Sequence, residues 1–485
     1  MMRTIIDGLR TLADDNRTVL VDGAHRVAGT ALHDEALGLA AYLAERLPRG
    51  SVVSFMLPNW SEAAVVYLGA LLAGMVVNPI LPSLRDRELA FILADANCRM
   101  IFIPKEFRGH DYIAMLSRVT ADMDAPPEIV VVGDGALPAG APREFPAVVP
   151  EDPALLLYTS GTSGRAKGVL HSHDSIGALI GQLRDHWLIE PGDAFLVPSP
   201  VAHIGGSIYA FECPLLLGTT AVLMERWDAD AAVALMTAQR CTHIAGATPF
   251  LEQILAAAER AGTRLPDLKV FICGGASVPP SLIRRATAYF ARAKVSRVYG
   301  STEVPVTTVG ALDDPDAAAD TDGRAGIADI RLVDGEIRVR GPQMLLGYRH
   351  AEDEFRDAEG YFRTGDLGRW DSDCLVVTGR AKDIIVRNGE NIAPKEVEDI
   401  LVGHPGIAEV AVVGLPDERT GERACAVIVP AAGSGPGIAD LRTFLTAKGI
   451  ARFKIPEQVE TWETLPKNDA GKVLKHQIRA RLTCR

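Results

Sequence analysis

Leu155-Leu156-Leu157-Tyr158-Thr159-Ser160-Gly161-Thr162-Ser163-Gly164-Arg165-Ala166-Lys167-Gly168-Val169 is an apolar, strand-like run that passes directly into hydroxyls, glycines and a lysine. Glycines let backbone N–H groups wrap an anion, hydroxyls add donors and lysine adds a point charge, so the segment reads as a phosphate-binding loop whose natural guest is a triphosphate. It differs from the GxxxxGK-Ser/Thr loop of nucleotide-driven motors and kinases. Lys167 follows Ala166 and precedes Gly168, so no hydroxyl stands beside it for magnesium. By composition alone, the same cluster also reads as a plain turn after a strand.

Working outward, short runs rich in β-branched residues alternate with Ala/Leu-rich stretches of helical period. Val52 to Leu57, Met100 to Ile103, Ile129 to Val132, Thr220 to Leu223 and Lys269 to Ile272 are expected strands, and Glu35 to Leu47 and Asp228 to Gln239 expected helices. This alternation predicts an α/β fold with mostly parallel sheets covered by helices. From about Arg324 the texture changes to closely spaced short strands such as Glu336 to Arg340, predicting an antiparallel or β-barrel-like subdomain. After Gly379 a last unit has its own helix at Pro394 to Leu401, with proline suited to a first turn, and a strand at Ala408 to Leu415. The expected division is a large domain, residues 1–381, and a small α+β C-terminal domain, residues 382–485.

A chain of 485 residues is long enough to split into such domains, and 48% hydrophobic with 23% charged residues is an ordinary globular balance. A net charge of −12 argues against general nucleic-acid binding, and no apolar run reaches the length of a membrane span. The first residues, Met1 to Asp7, lack a secretory pattern, so a cytoplasmic location is expected. Seven cysteines without a CxxC pair predict buried thiols, neither a disulfide framework nor a zinc site.

The order of residues in the glycine-rich loop resembles the signature of the adenylate-forming superfamily, which includes acyl-CoA synthetases, luciferases and peptide-synthetase adenylation domains. Further motifs recur in the family's order at Val201 to Gly206, Tyr299-Gly300-Ser301-Thr302-Glu303, Tyr361 to Asp366, Gly379-Arg380-Ala381-Lys382-Asp383 and Leu465 to Lys472. The departures, Ser163 where threonine is usual and Ala166 where proline is common, are mild. The resemblance implies a two-step reaction. A carboxylate attacks the α-phosphorus of ATP and expels pyrophosphate, and a thiol then takes the acyl group and releases AMP.

By the same resemblance, Thr159, Ser160, Gly161, Thr162, Ser163, Gly164 and Lys167 hold phosphates, Tyr299 stacks on adenine next to Gly300, and Thr302 contacts the α-phosphate. Glu303 is expected to hold Mg2+, a role that also suits a lone carboxylate beside a triphosphate, because magnesium takes few carboxylates and completes its shell with phosphate and water. Asp366 and Arg380 are implied to hold the ribose. Lys472 is implied to bridge the attacking carboxylate and the α-phosphate, where a cation neutralises the polyanion. Lys382 matches the family hinge, and Gly389 lies where the pantetheine arm passes. His203 is placed between acyl pocket and thiol tunnel.

Cys273-Gly274-Gly275-Ala276-Ser277 leaves bare backbone after a strand, where a base or acyl group could approach. The acyl pocket is expected to draw on Ile204 to Tyr209, Gly246 to Thr248, Gly274 to Ala276 and Val304-Pro305, which suits a hydrophobic medium-chain, alicyclic or aromatic acid. The chain stops soon after Lys472 without a carrier domain, which favours free coenzyme A as the thiol. Transfer to a separate carrier protein is the alternative. Joint retention of Thr162, Lys167, Glu303, Asp366, Arg380 and Lys472 weighs against a catalytically silent relative.

Overall fold

Val52-Val53-Ser54-Phe55 is buried at every position, as a strand covered on both faces must be. In the computed structural model it lies in a seven-stranded sheet ordered Gly347–Tyr348, Lys167–Ser172, Pro153–Thr159, Val76–Pro79, Val52–Phe55, Cys98–Pro104 and Glu128–Val132. The structure describes residues 4–133, 135–145, 147–159, 166–275, 278–350, 355–387, 390–417, 419–468 and 471–483. Pro153–Thr159 runs parallel to Val76–Pro79 and antiparallel to Lys167–Ser172, so the two strands bracketing the glycine-rich loop form a hairpin with Thr159 opposite Lys167.

A second seven-stranded sheet has the order Lys294–Val298, Val270–Gly274, His243–Gly246, Ala194–Val197, Thr220–Leu223, Thr18–Asp22, His25–Ala28. Its first six strands are parallel. The helix Ser61–Leu72 is apolar on nearly every side, and eleven of its residues are buried. Such a helix belongs inside the molecule. It lies in one core with Val53 and Phe55 of the first sheet and Leu20, Phe195 and Ala221 of the second. The helix expected from Glu35 begins earlier, at Gly29, because Leu32, Ala36, Leu39 and Leu43 extend one buried stripe back towards the preceding strand.

The segment from Arg324 is antiparallel, as expected, but the barrel is not found. Asp329–Val333, Glu336–Arg340, Phe362–Asp371 and Cys374–Arg380 form an open four-stranded meander. Asp334-Gly335, both at positive φ (51° and 81°), make the two-residue turn that matches strand twist. The connection from Glu336–Arg340 to Phe362–Asp371 leaves this sheet and lends Gly347–Tyr348 to the first one, beside Lys167–Ser172.

The last sheet is built of Ile385–Arg387, Glu390–Ile392, Ile407–Asp417, Gly421–Pro430 and Gln458–Thr461. Helices Pro394–Leu401 and Ile438–Ala447 bury Val397, Leu401, Leu441 and Leu445 against Ile385, Val412 and Ile428, a core separate from those of the large sheets. The molecule is therefore a large α/β domain and a smaller C-terminal domain. Among the described residues, no helix is long and apolar enough to cross a membrane. The six described cysteines are free and buried.

Candidate active site at the carboxyl edge of the sheets

Parallel strands deliver the loops that follow them to one edge, where ligands of open α/β sheets bind. In the second sheet the strands ending at Val197, Gly246, Gly274 and Val298 send out the segments carrying His203, Thr248, Gly275 and Tyr299 to Glu303. Topology thus gathers four predicted segments that are far apart in sequence. Gly275 sits at φ +83° with nothing within 4 Å of the place a Cβ would take, a left-handed turn beside open space. Gly300 is required for the opposite reason, since a Cβ there would lie 2.6 Å from the Val306 nitrogen.

Two groups of side chains form around this edge. In the first, the Glu303 carboxylate accepts from Tyr348 Oη (3.2 Å) and its carbonyl accepts from the Leu345 N–H (2.8 Å). Lys167 Nζ lies 5.1 Å from the Tyr348 ring centroid. The strand leaving the glycine-rich loop also contributes His171, whose Nε2 donates to the Thr302 carbonyl oxygen (2.7 Å). Burial pushes the His171 pKa down to about 4, so the ring is neutral.

In the second group, Asp366 and Arg380 are direct cross-strand partners. Arg380 Nε donates to Asp366 Oδ1 (2.9 Å) and Tyr299 Oη to Asp366 Oδ2 (2.8 Å), with Asp366 only 6% exposed. Lys472 comes from the C-terminal domain, on a turn closed by Asn468: the Lys472 N–H donates to Asn468 Oδ1 (2.8 Å) and the Asn468 N–H to the Lys472 carbonyl (2.9 Å). Loss of water around the Lys472 ammonium, then repulsion by Arg380 and Lys382 against the pull of Asp366 and Asp383, pushes its pKa down to about 8. The residue is nonetheless exposed, so water screens part of this repulsion. Burial and Arg380 also lower the pKa of Lys382. Arg479 Nη2 donates to Asp383 Oδ1 (2.9 Å), tying the final helix Lys475–Thr483 to the Lys382 segment.

His203 sits, half-buried, just before the short helix Ile204–Ser207, which continues as a π-helical turn Ile208–Glu212. Of the span expected to line the acyl pocket, Tyr209 faces the core, stacked 5.2 Å from Phe195. Ser160, Gly161, Thr162, Ser163, Gly164, Ala276 and Gly389 lie outside the described residues. Sequence reasoning missed Tyr348 and His171. For His171 a signal existed: strand alternation puts Lys167, Val169 and His171 on one face. For Tyr348, in the two-residue strand Gly347–Tyr348, there was none.

The donor set at Glu303 suits a hard cation: one carboxylate, free of any ion pair among the described residues, next to the strand that bears Lys167. Among those residues no group of three or more His, Cys, Asp or Glu could hold a metal, so an ion here would take most of its ligands from the nucleotide and water.

A two-domain α/β fold whose first sheet carries the strands flanking a glycine-rich sequence beside a carboxylate, with a lysine on the smaller domain, is that of an adenylate-forming protein. The chain belongs to the AMP-binding enzyme family: the family model matches residues 11–349, and that of the AMP-binding enzyme C-terminal domain matches residues 396–472. It is similar to a medium-chain fatty-acid–CoA ligase of Escherichia coli K12, 35% identical over 93% of this chain and 85% of that one. It is 33% identical, over 95% of both chains, to a 7a-methyl-1,5-dioxo-octahydro-1H-inden-4-yl propanoyl:CoA ligase of Rhodococcus jostii RHA1. Among solved structures, ATP-bound MatB from Rhodopseudomonas palustris superposes with a TM-score of 0.85 at 26% identity, covering 99% of each chain.

Proposed function

We propose that this chain is an AMP-forming acid–CoA ligase acting on ATP, coenzyme A and a hydrophobic carboxylic acid of the medium-chain, alicyclic or aromatic class. The observation that carries the reading is the buried Asp366 carboxylate held by Arg380 Nε (2.9 Å) and Tyr299 Oη (2.8 Å), with Lys472 of the C-terminal domain within electrostatic range of that pair. A cation brought there from a separate domain neutralises the carboxylate and α-phosphate as they approach in line. Lys167 and the loop before it bind the outer phosphates, and Asp366 and Arg380 orient the ribose. Tyr299 packs beneath the nucleotide, while Thr302 reaches the α-phosphate. Mg2+, held by Glu303, would neutralise charge on the phosphates when bound. The acid class rests on the apolar or small residues near His203, Gly246, Gly274 and Val304, together with the substrates named for the two similar ligases.

For the second step we place the hinge at Lys382, between domains 1–381 and 382–485. Rotation there withdraws Lys472 and brings the Gly389 segment to the pantetheine arm, with His203 between acyl group and thiol. Coenzyme A is the acceptor in preference to a carrier protein, a reading supported by relatives 35% and 33% identical that are named as CoA ligases. A cytoplasmic location suits six buried, unpaired thiols.

The test is pyrophosphate release from Mg-ATP across a panel of carboxylic acids, with and without coenzyme A. Acid-dependent release with acyl-CoA formed only when coenzyme A is present is expected. Release that never yields acyl-CoA would replace coenzyme A by another acceptor, and no release with any acid would overturn the ligase reading.

A further inference from the structure

We propose that His171 is a positioning residue for this reaction, fixing the Thr302–Glu303 segment to the strand that leaves the phosphate loop. The inference rests on the ligase reading above. His171 is fully buried, and both ring nitrogens are used. Nε2 faces the Thr302 carbonyl oxygen at 2.7 Å. A carbonyl only accepts, so Nε2 carries the proton and Nδ1 is left as an acceptor facing the Ser175 hydroxyl at 3.2 Å, whose one proton is shared with the Ser172 carbonyl oxygen at 3.1 Å. Ser175 belongs to the capping box of helix His173–His186, where its N–H donates to Ser172 Oγ and its hydroxyl oxygen accepts from the Ser172 N–H. The ring is therefore oriented by a helix start and delivers its proton to one carbonyl.

That carbonyl belongs to the peptide unit joining Thr302 to Glu303. Holding it fixes ψ of Thr302 and φ of Glu303, the two torsions that decide where the Glu303 side chain leaves the backbone. The rest of the grip comes from the same neighbourhood. Val169 shares an apolar cluster with Val304 and Leu345, and Tyr348, which pairs with Val169, donates to the Glu303 carboxylate. The strand that bears Lys167 and His171 and the Thr302–Glu303 segment are thus packed as one body.

His171→Gln keeps an N–H at the reach of Nε2, whereas His171→Leu keeps comparable bulk without a donor. Two readouts separate positioning from packing: hydrogen exchange of the unliganded enzyme over residues 299–306, and steady-state pyrophosphate release. Leucine is expected to raise exchange selectively in that segment and to lower kcat about ten- to hundredfold, the range for a modest misplacement of reacting groups, with KM for the acid little changed. Glutamine should restore most of both. Unchanged exchange and turnover in the leucine variant would overturn the proposal. So would loosening spread evenly over the large domain with glutamine no better than leucine. If the wild type releases no pyrophosphate with any acid, the ligase reading fails, while the exchange comparison, which needs no substrate, still decides whether His171 holds the segment.

Discussion

The Glu303 end and the Lys472 end of the site are held in opposite ways. Glu303 is gripped through its carboxylate by Tyr348, through its carbonyl by Leu345 and through the preceding peptide by His171, all from strands of one sheet or the loop beside it. Lys472 stands on a turn closed by Asn468, in another domain, and its charge is disfavoured where it rests, with a pKa lowered to about 8. The difference separates a preorganised half from a visiting half. Preorganised groups cost no rearrangement at the moment of reaction. A lysine whose charge is disfavoured beside Arg380 and Lys382 would be stabilised by a polyanion bound there.

The comparison breaks most directly at Lys472. Lys472→Ala is expected to slow adenylation about 10²- to 10³-fold, the loss typical of removing one preorganised electrostatic group. Thioester formation from a preformed acyl-adenylate and coenzyme A should stay within a few-fold of wild type if the proposed rotation withdraws the lysine. Equal losses in both half-reactions would show that Lys472 is a fixed part of the site and not a visitor.

Next in size is the pH dependence. Only protonated Lys472 is a cation, so kcat/KM for adenylation should fall about tenfold per pH unit above about 8, the pKa of the free enzyme's lysine. Lys472→Arg, which stays charged, should flatten this alkaline limb whatever its absolute rate. An alkaline limb that is the same in both proteins would assign it to another group.

On the fixed side the effect is smaller. Tyr348→Phe removes one hydrogen bond from Glu303 and should raise the Mg2+ concentration for half-maximal rate about two- to tenfold, the worth of one such bond. A change in the maximal rate with no change in Mg2+ dependence would mean that Tyr348 serves the phosphate loop instead of the carboxylate.

The same contrast governs what the sequence made legible. Strands such as Thr220–Leu223 and the helix Pro394–Leu401 were readable to the residue, because hydrophobic run length and turn chemistry act locally. Motif order likewise named Glu303, Asp366, Arg380 and Lys472. The open meander was misread as barrel-like, because closure depends on strand stagger that no local pattern encodes. Tyr348 and the His171–Thr302 bond were invisible, since each joins segments more than forty residues apart whose register only the sheet decides. The cross-domain approach of Lys472 to Arg380 came from resemblance and not from spacing.

Glu212 sharpens the comparison from the fixed side, with the least expected effect on turnover. It ends the π-helical turn that follows His203, is fully buried, and accepts from Tyr67 Oη, while its second oxygen has no partner among the described residues. Burial raises its pKa from 4.5 to about 7, the reverse of what happens to a carboxylate with a cation at hand. The native state then holds the proton more tightly than the unfolded chain. Between pH 4.5 and about 7 the unfolded chain ionises first, and stability falls as pH rises through that window. At about 1.36 kcal/mol per pKa unit the loss is roughly 3 kcal/mol by pH 8. Glu212→Gln keeps an acceptor for Tyr67 and cannot ionise, so its melting temperature relative to wild type should rise as the pH is taken from 5 to 8. Other titrating groups are common to both proteins and cancel in that difference. Parallel melting curves across this range would mean that the native fold admits the Glu212 charge, and that the surroundings of Glu212 and its partner Tyr67 are wetter than their burial implies.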